Sequence, residues 1–274
     1  MESFQQLRVL TVTDVHQSVA RIAQLSGAIA EHHPDVVAFV GDFLNISCPI
    51  TGQFTAAQTA RALANLAVEH ILFVRGNHEA LAWHEFVTAW PFAKRPLLAL
   101  QGDVFQLGPL LIIGFPCHIS YEQTWLDSLP ESGIHVKRDF ASPARRGLQP
   151  GDHNWLEQIF ERYGPAARTL WLMHEPPLQK FIGDFNTVNP DWARAIDVFL
   201  PLLTISGHDH RTPGRSRRRH VHWNRTICVN AGQSDSTLHY CLLDFYFTPQ
   251  TQPALPAKIL VRIFPWQKQL EITP

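Results

Sequence analysis

No stretch of this chain is apolar over anything near the roughly 20 residues that a membrane-crossing helix needs. Met1-Glu2-Ser3-Phe4 runs straight into the first apolar run without a basic segment, so no signal or transit peptide is visible, and the cytoplasm is the expected compartment. An excess of one charge is missing too, with 23 Lys and Arg against 24 Asp and Glu. That balance excludes a globally basic nucleic-acid-binding surface and leaves any attraction for anions to local patches. No Ser/Gly-rich linker, internal repeat or low-complexity segment divides the sequence, so residues 1–274 read as one domain long enough to bury a large core. Cys48, Cys117, Cys228 and Cys241 are too scattered for a zinc site or a disulfide scaffold and read as free thiols.

Histidine, in contrast, is abundant, with 15 residues. His32, His33, His220 and His222 lie in polar surroundings and read as surface residues. Others recur at the ends of short apolar runs. Residues 36–40 form a β-branched run too short for a helix, and Asp42 falls just past its carboxyl end. Open α/β sheets place their chemistry there, although Gly-Asp alone is also a common turn.

Residues 7–12 make an earlier strand that delivers Asp14 and His16. In an extended segment positions i and i+2 share one side, so a carboxylate and an imidazole could reach one ion together. Asp14 or Ser18 could equally cap the helix marked by Val19, Ile22, Ala23, Leu25 and Ile29. Residues 71–74 end in Gly76-Asn77-His78-Glu79, where Asn77 offers a carbonyl oxygen and His78, one position on, points elsewhere and suits a substrate better. Residues 169–173 end in His174, with Pro176 and Pro177 holding the segment extended. A hydrogen-bonded structural histidine is the plain alternative for His174. Residues 202–206 lead into Gly207-His208-Asp209-His210, two imidazoles alternating in an extended turn behind a glycine that lets the backbone approach closely.

Between these runs, helices are expected over about residues 55–66, from Asp152 or Asn154 through 163, and over 191–199. Residues 80–107 give no clear pattern. Residues 115–151 are Pro- and Gly-rich and irregular, a candidate lid over the site. Strands over 226–229, 240–246 and 258–264 suggest a second, more antiparallel part. Arg211, Arg215, Arg217, Arg218 and Arg219 form a basic loop after His210. It reads either as a solvated hairpin tip or as an electropositive rim, led by Arg211 and Arg215, that draws in a phosphate-bearing substrate.

Asp14, His16, Asp42, Asn77, His174, His208 and His210 supply only oxygen and imidazole donors and no thiolate. That mix suits Mn, Fe or Zn, and there are too many donors for one ion but enough for two. Two divalent ions about 3.5–4 Å apart can clamp the attacking and leaving oxygens of a phosphoryl displacement, and water held between them, its pKa lowered to roughly 7, would be the nucleophile.

In this order and spacing the blocks Asp14-Val15-His16, Gly41-Asp42-Phe43-Leu44-Asn45, Gly76-Asn77-His78-Glu79, His174 and Gly207-His208-Asp209-His210 resemble the calcineurin-like metallophosphoesterases. The resemblance implies a four-layer α/β/β/α sandwich of two mixed sheets flanked by helices, with the site at strand carboxyl ends. It implies one ion on Asp14, His16, Asp42 and His210, a second on Asp42, Asn77, His174 and His208, and a bridging Asp42. His78 would contact the phosphate or protonate the leaving oxygen. Trp155-Leu156-Glu157, His174-Glu175-Pro176-Pro177 and Val229-Asn230-Ala231-Gly232 look most like the small bacterial phosphodiesterases of cyclic nucleotides and glycerophosphodiesters. Asn45 stands where purple acid phosphatases carry a tyrosine, so a ferric-tyrosinate site is not expected. Glu175 replaces a histidine of the diesterase branch and leaves monoester or diester open.

The expected activity is metal-dependent hydrolysis of a small phosphodiester or phosphomonoester. The alternatives are a nuclease that uses the arginine loop 211–219 and a non-catalytic scaffold for a protein partner. So many polar groups are costly to bury, and that argues against the scaffold.

Overall fold

The computed structural model describes residues 5–45, 51–100, 102–115, 153–177, 182–183, 190–233, 236–248 and 255–273. The elements run β1 (Gln5–Val12), α1 (Val19–His32), β2 (Val36–Val40), α2 (Ala56–Ala64), β3 (His70–Val74), α3 (Glu79–Ala89), β4 (Leu98–Ala99), β5 (Val104–Leu107) and β6 (Leu110–Phe115). They continue with α4 (His153–Tyr163), β7 (Thr169–Met173), α5 (Pro190–Phe199), β8 (Leu203–Ser206), α6 (Thr212–Ser216), β9 (His220–Trp223), β10 (Thr226–Asn230), β11 (Tyr240–Phe247), β12 (Lys258–Phe264) and β13 (Lys268–Ile272). One sheet has the order β13-β12-β11-β1-β2-β3-β4 and the other β5-β6-β7-β8-β10-β9. Both are mixed.

The unbroken apolar runs follow from burial on both faces. Along β2, Val36, Ala38 and Val40 enter the core between the sheets with Leu170 and Leu172 of β7. Val37 and Phe39 face the opposite way, into a core with Ile22 and Leu25 of α1 and Leu63 of α2. On the far side, Trp171 and Met173 pack with Leu156 and Ile159 of α4 and Ala195 and Ile196 of α5. Three apolar seams therefore separate four layers, which is the expected α/β/β/α sandwich. Among the described residues no helix is long and apolar enough to cross a membrane.

Local chemistry sets the helix starts. Ser18 rather than Asp14 caps α1, its side chain accepting from the Arg21 N–H, so Asp14 is left for other work. Thr55 and Gln58 close a capping box on α2. The unclear stretch 80–107 resolves into α3, β4 and β5. Its aromatics Trp83, Phe86 and Trp90 pack against Phe43 and Phe73 beneath the ends of β2 and β3.

Three expectations need correction. His32 is buried, with Nε2 3.0 Å from the Tyr240 hydroxyl, because the end of α1 lies on the first sheet. The strands over 226–264 do not form one antiparallel part. β10 joins the second sheet, while β11 pairs with β1 across eight registered residues and carries β12 and β13 outward. The arginine-rich loop is not a hairpin tip, since it opens with the short helix α6. The candidate lid, beyond Phe115, and the Asp152 or Asn154 cap fall outside the described residues and side chains.

On the first sheet Asp244, nearly fully buried, receives Arg8 Nε and Arg262 Nη2 at 2.5 Å each and Gln6 Nε2 at 2.9 Å. Removing the carboxylate strands two arginines over the sheet. Asp244→Ala is expected to cost about 3 kcal/mol of stability in urea unfolding, whereas a loss near zero would show the network to behave as an exposed ion pair.

Candidate metal centre

Five strand ends deliver the candidate donors. β1, β2 and β3 lie side by side and parallel in one sheet, and β7 and β8 do so in the other. Their loops are zipped together by the backbone. Asp14 N–H donates to Gly41 O at 3.0 Å, His16 N–H to Asp42 O at 2.9 Å, Gln17 N–H to Phe43 O at 2.9 Å and Gly207 N–H to His174 O at 2.9 Å. The His174 ring spans the two sheets, with Nδ1 3.0 Å from Val40 O.

The donor atoms converge in three overlapping groups, Asp14 with His16 and His210, His16 with Asp42 and His78, and Asp42 with His174 and His208, the atoms of each lying within 4.8 Å of one another. His210 Nε2 is 3.0 Å from Asp14 Oδ1, His16 Nε2 is 3.4 Å from His210 Nε2, and His174 Nε2 is 3.3 Å from Asp42 Oδ2. Asn77 Oδ1 reaches within 3.1 Å of His174 Nε2. His78 stands at the edge, partly exposed, with Nε2 3.8 Å from Asp42 Oδ2 and Nδ1 3.0 Å from Asn45 Oδ1. All seven candidate donors and His78 are thus brought to one place.

They arrive by a different backbone from the one expected. Asp14, His16, Asp42 and His208 have φ of 55°, 50°, 51° and 62°, left-handed conformations that non-glycine residues seldom adopt. Asp14 and His16 converge through left-handed turns held by neighbouring loops, not through the alternation of an extended strand. Three glycines make room. A Cβ on Gly41 would lie 2.0 Å from His174 Nδ1, on Gly76 2.2 Å from Asp42 Oδ1, and on Gly207 1.7 Å from Thr13 Oγ1.

The electrostatics fit cations. Asp14 and Asp42 are buried, which alone would raise their pKa, yet facing imidazoles hold both below the usual carboxylate range, His210 for Asp14 and His174 for Asp42. His174 is pushed up to about 10, burial being overcome by the charge and hydrogen bond of Asp42, and His210 is raised against burial by Asp14. Burial lowers His16 to about 4 and also lowers His208, so both keep a neutral ring suited to ligation. His16 Nδ1 is buried with no hydrogen-bond partner among the described residues. Two buried carboxylates that draw protons onto nearby imidazoles are a site where metal ions and protons compete. The donor set fits hard or borderline divalent ions.

A sequence profile of the calcineurin-like phosphoesterases matches residues 7–212. The chain belongs to that family. No curated protein matches it in sequence. Among solved structures it is similar to TT1561 of Thermus thermophilus, with 13% identity, TM-score 0.57 and coverage of 98% of this chain and 99% of the other. A dimetal phosphatase from Danio rerio gives 12%, 0.56, 97% and 98% for the same quantities. The calcineurin-like phosphoesterase YfkN of Bacillus subtilis gives 14%, 0.55, 95% and 91%. At these identities the structures attest the shared fold.

Within this family member the arginine loop splits in two. Arg211, Arg215, Arg217 and Arg218 are not buried, but Arg219 is, its Nη1 donating to Pro213 O at 2.6 Å. Arg219 therefore leaves the proposed electropositive rim.

Sequence reasoning also missed groups that grip the ligand loops from behind. Asn230 Nδ2 lies 3.1 Å from Gly207 O and 3.2 Å from Asp209 O, the carbonyls flanking His208, while its Oδ1 accepts from Gly232 N–H. Arg21 Nη1 donates to Asp14 O at 2.8 Å. Glu79 is fully buried and accepts from the N–H groups of Asp42, Leu44 and Gly76 at 3.0, 2.8 and 2.6 Å. Burial and the neighbouring Asp42 charge push it up to about 8, against three N–H donors that favour the carboxylate. Its place in the Gly76-Asn77-His78-Glu79 block was the only signal. Glu79→Gln puts an NH₂ against one of these donors and is expected to weaken metal binding roughly 10- to 100-fold in a Mn titration. Unchanged affinity would show that the clasp does not set donor geometry.

Proposed function

We propose that the protein is a dinuclear metal-dependent phosphoesterase acting on a phosphodiester, with phosphomonoesters as the lesser substrates. The observation that carries this is the overlap of the three donor groups. Asp42 is shared by two of them, and the set contains more donors than a single ion would take. One ion would rest on Asp14, His16, Asp42 and His210 and the other on Asp42, Asn77, His174 and His208. Mn, Fe and Zn all suit such oxygen and nitrogen donors. Bound there, the ions supply Lewis acidity toward phosphoryl oxygens and a strong nucleophile from water at neutral pH.

The chain's own groups do the rest. Asp42 N–H, Leu44 N–H and Gly76 N–H are fixed on Glu79, and His78 N–H donates to Asp42 Oδ1 at 2.9 Å, so the shared carboxylate cannot turn. Asn45 Nδ2 donates to Gln53 Oε1 at 3.3 Å, which turns Asn45 Oδ1 toward His78. Nδ1 of His78 therefore carries the hydrogen in that bond, and Nε2, facing the donor set, holds the second proton of the imidazolium form and is the atom that passes it to the departing alkoxide, leaving a neutral ring. Arg211 and Arg215, exposed and close after His210 in sequence, would be the cations that meet a non-bridging phosphate oxygen or a second phosphate.

Asp42→Asn is expected to abolish Mn-supported hydrolysis of bis(p-nitrophenyl) phosphate, and full turnover by that variant would end the proposal. His78→Ala should keep its metal and lose roughly 10²- to 10⁴-fold in kcat on an alkyl diester. It should lose much less on the nitrophenyl ester, whose leaving group needs no proton.

A further inference from the structure

Trp266 is one of few large apolar side chains left exposed, at 43%, and it is the only one of them held by charged and aromatic partners among the described contacts. The Arg219 guanidinium carbon sits 3.2 Å from its ring centroid, and the His239 ring meets it edge-on at 4.3 Å. Both partners are more than nine-tenths buried, and Arg219 Nε and His239 Nδ1 have no hydrogen-bond partner among the described residues. Arg219 covers one face of the indole, the His239 ring stands steeply inclined to it, and 43% of the residue stays open to solvent. A free indole on a loop would fold down or wave; this one is clamped in the open.

Its position follows from strand register. Val12 pairs with Tyr240 and Tyr240 with Phe264. β12 therefore runs parallel to β1, two strands away, a separation of about 10 Å. Asp14 lies two residues past Val12, and Trp266 lies two residues past Phe264 in the same direction. Trp266 thus stands at the same end of the sheet as Asp14, two strands along from the loop that carries it.

Two short bridges bolt it to the ligand loops. Arg219 Nη1 donates to Pro213 O, and Pro213 packs on Gly232 beside His210 O. His239 N–H donates to Gln233 Oε1, and Gln233 Nε2 donates to Thr13 O, just before Asp14.

We infer that Trp266, backed by Arg219 and His239, is a stacking platform for the nucleobase of a nucleoside phosphate ester whose phosphate lies on the metal centre. The inference rests on the phosphoesterase reading for the location of the phosphate and adds the substrate class. A flat, rigid, sequence-tolerant face is what base stacking requires. Burial and the adjacent Arg219 charge lower His239 to about 4, so the ring supporting the platform stays neutral while Arg219 carries the one cation. A substrate without an aromatic ring would leave the exposed surface of Trp266 with nothing to bind.

The test is calorimetric titration of the full chain, with Mn present, using adenosine 5′-monophosphate and ribose 5-phosphate as probes. The wild-type protein should bind the adenosine compound roughly tenfold more tightly, a difference of about 1.4 kcal/mol. Trp266→Leu should remove that gap without changing the affinity for ribose 5-phosphate, and Trp266→Phe should keep part of it. The unchanged ribose 5-phosphate affinity reports that the variants fold. No gap in the wild type, or a gap that survives Trp266→Leu, overturns the platform.

Because the readout is binding, the two proposals fail separately. Hydrolysis of aryl diesters without a base-dependent gap removes the platform alone, and a Trp266-dependent gap without hydrolysis of any ester removes the enzyme alone. A short oligoadenylate that binds more tightly than the mononucleotide, loses the excess in salt and loses it in the Arg217→Ala, Arg218→Ala double variant would identify a nucleic-acid end as the source of the base. Equal binding would identify a free nucleotide. Both of those outcomes support the platform.

Discussion

Asp14 and Asp42 carry two carboxylates into a space where water scarcely reaches, close enough for the charge of Asp42 to act on Asp14. Ionised carboxylates buried in this way cost several kcal/mol each unless positive charge comes with them. Asp42 also pushes the Asp14 pKa upward, and two of the imidazoles around them, His174 and His210, respond by gaining protons. Most of the architecture at the top of the sandwich follows from this concentration of negative charge. Three glycines clear space for it, four left-handed residues aim side chains at it, and Glu79 and Arg21 hold the backbone that carries it.

The four-layer fold makes such a site possible. Five parallel strand ends from two packed sheets open toward the same edge, so loops distant in sequence meet without long excursions. The His174 contact with Val40 O and the close approach of Gly207 to Thr13 stitch one sheet to the other at that edge. Strands buried on both faces give the rigidity that strained loop conformations need.

Much of this was legible in the sequence. Short apolar runs ending in Asp, Asn or His showed where the sheets stop and which side chains stand there, and they implied the four layers through the family resemblance. What was not legible depended on contacts without a local pattern. Asn230, the last residue of β10, and Gln233, three positions past it, act on carbonyls that no spacing rule links to them. Arg219 read as one arginine among five, because its burial depends on Trp266, some fifty positions later. His32 looked polar because its partner Tyr240 comes from the far end of the chain. The convergence of Asp14 and His16 was foreseen for the wrong geometric reason, since φ is invisible in a residue list.

The central claim is that the buried carboxylates exist to hold two cations around one shared aspartate, and the most direct measurement is anomalous diffraction from crystals soaked in Mn. Two peaks are expected on opposite sides of Asp42, one against Asp14, His16 and His210 and the other against Asn77, His174 and His208. A single peak, or peaks that leave Asp42 uncoordinated, would contradict the account.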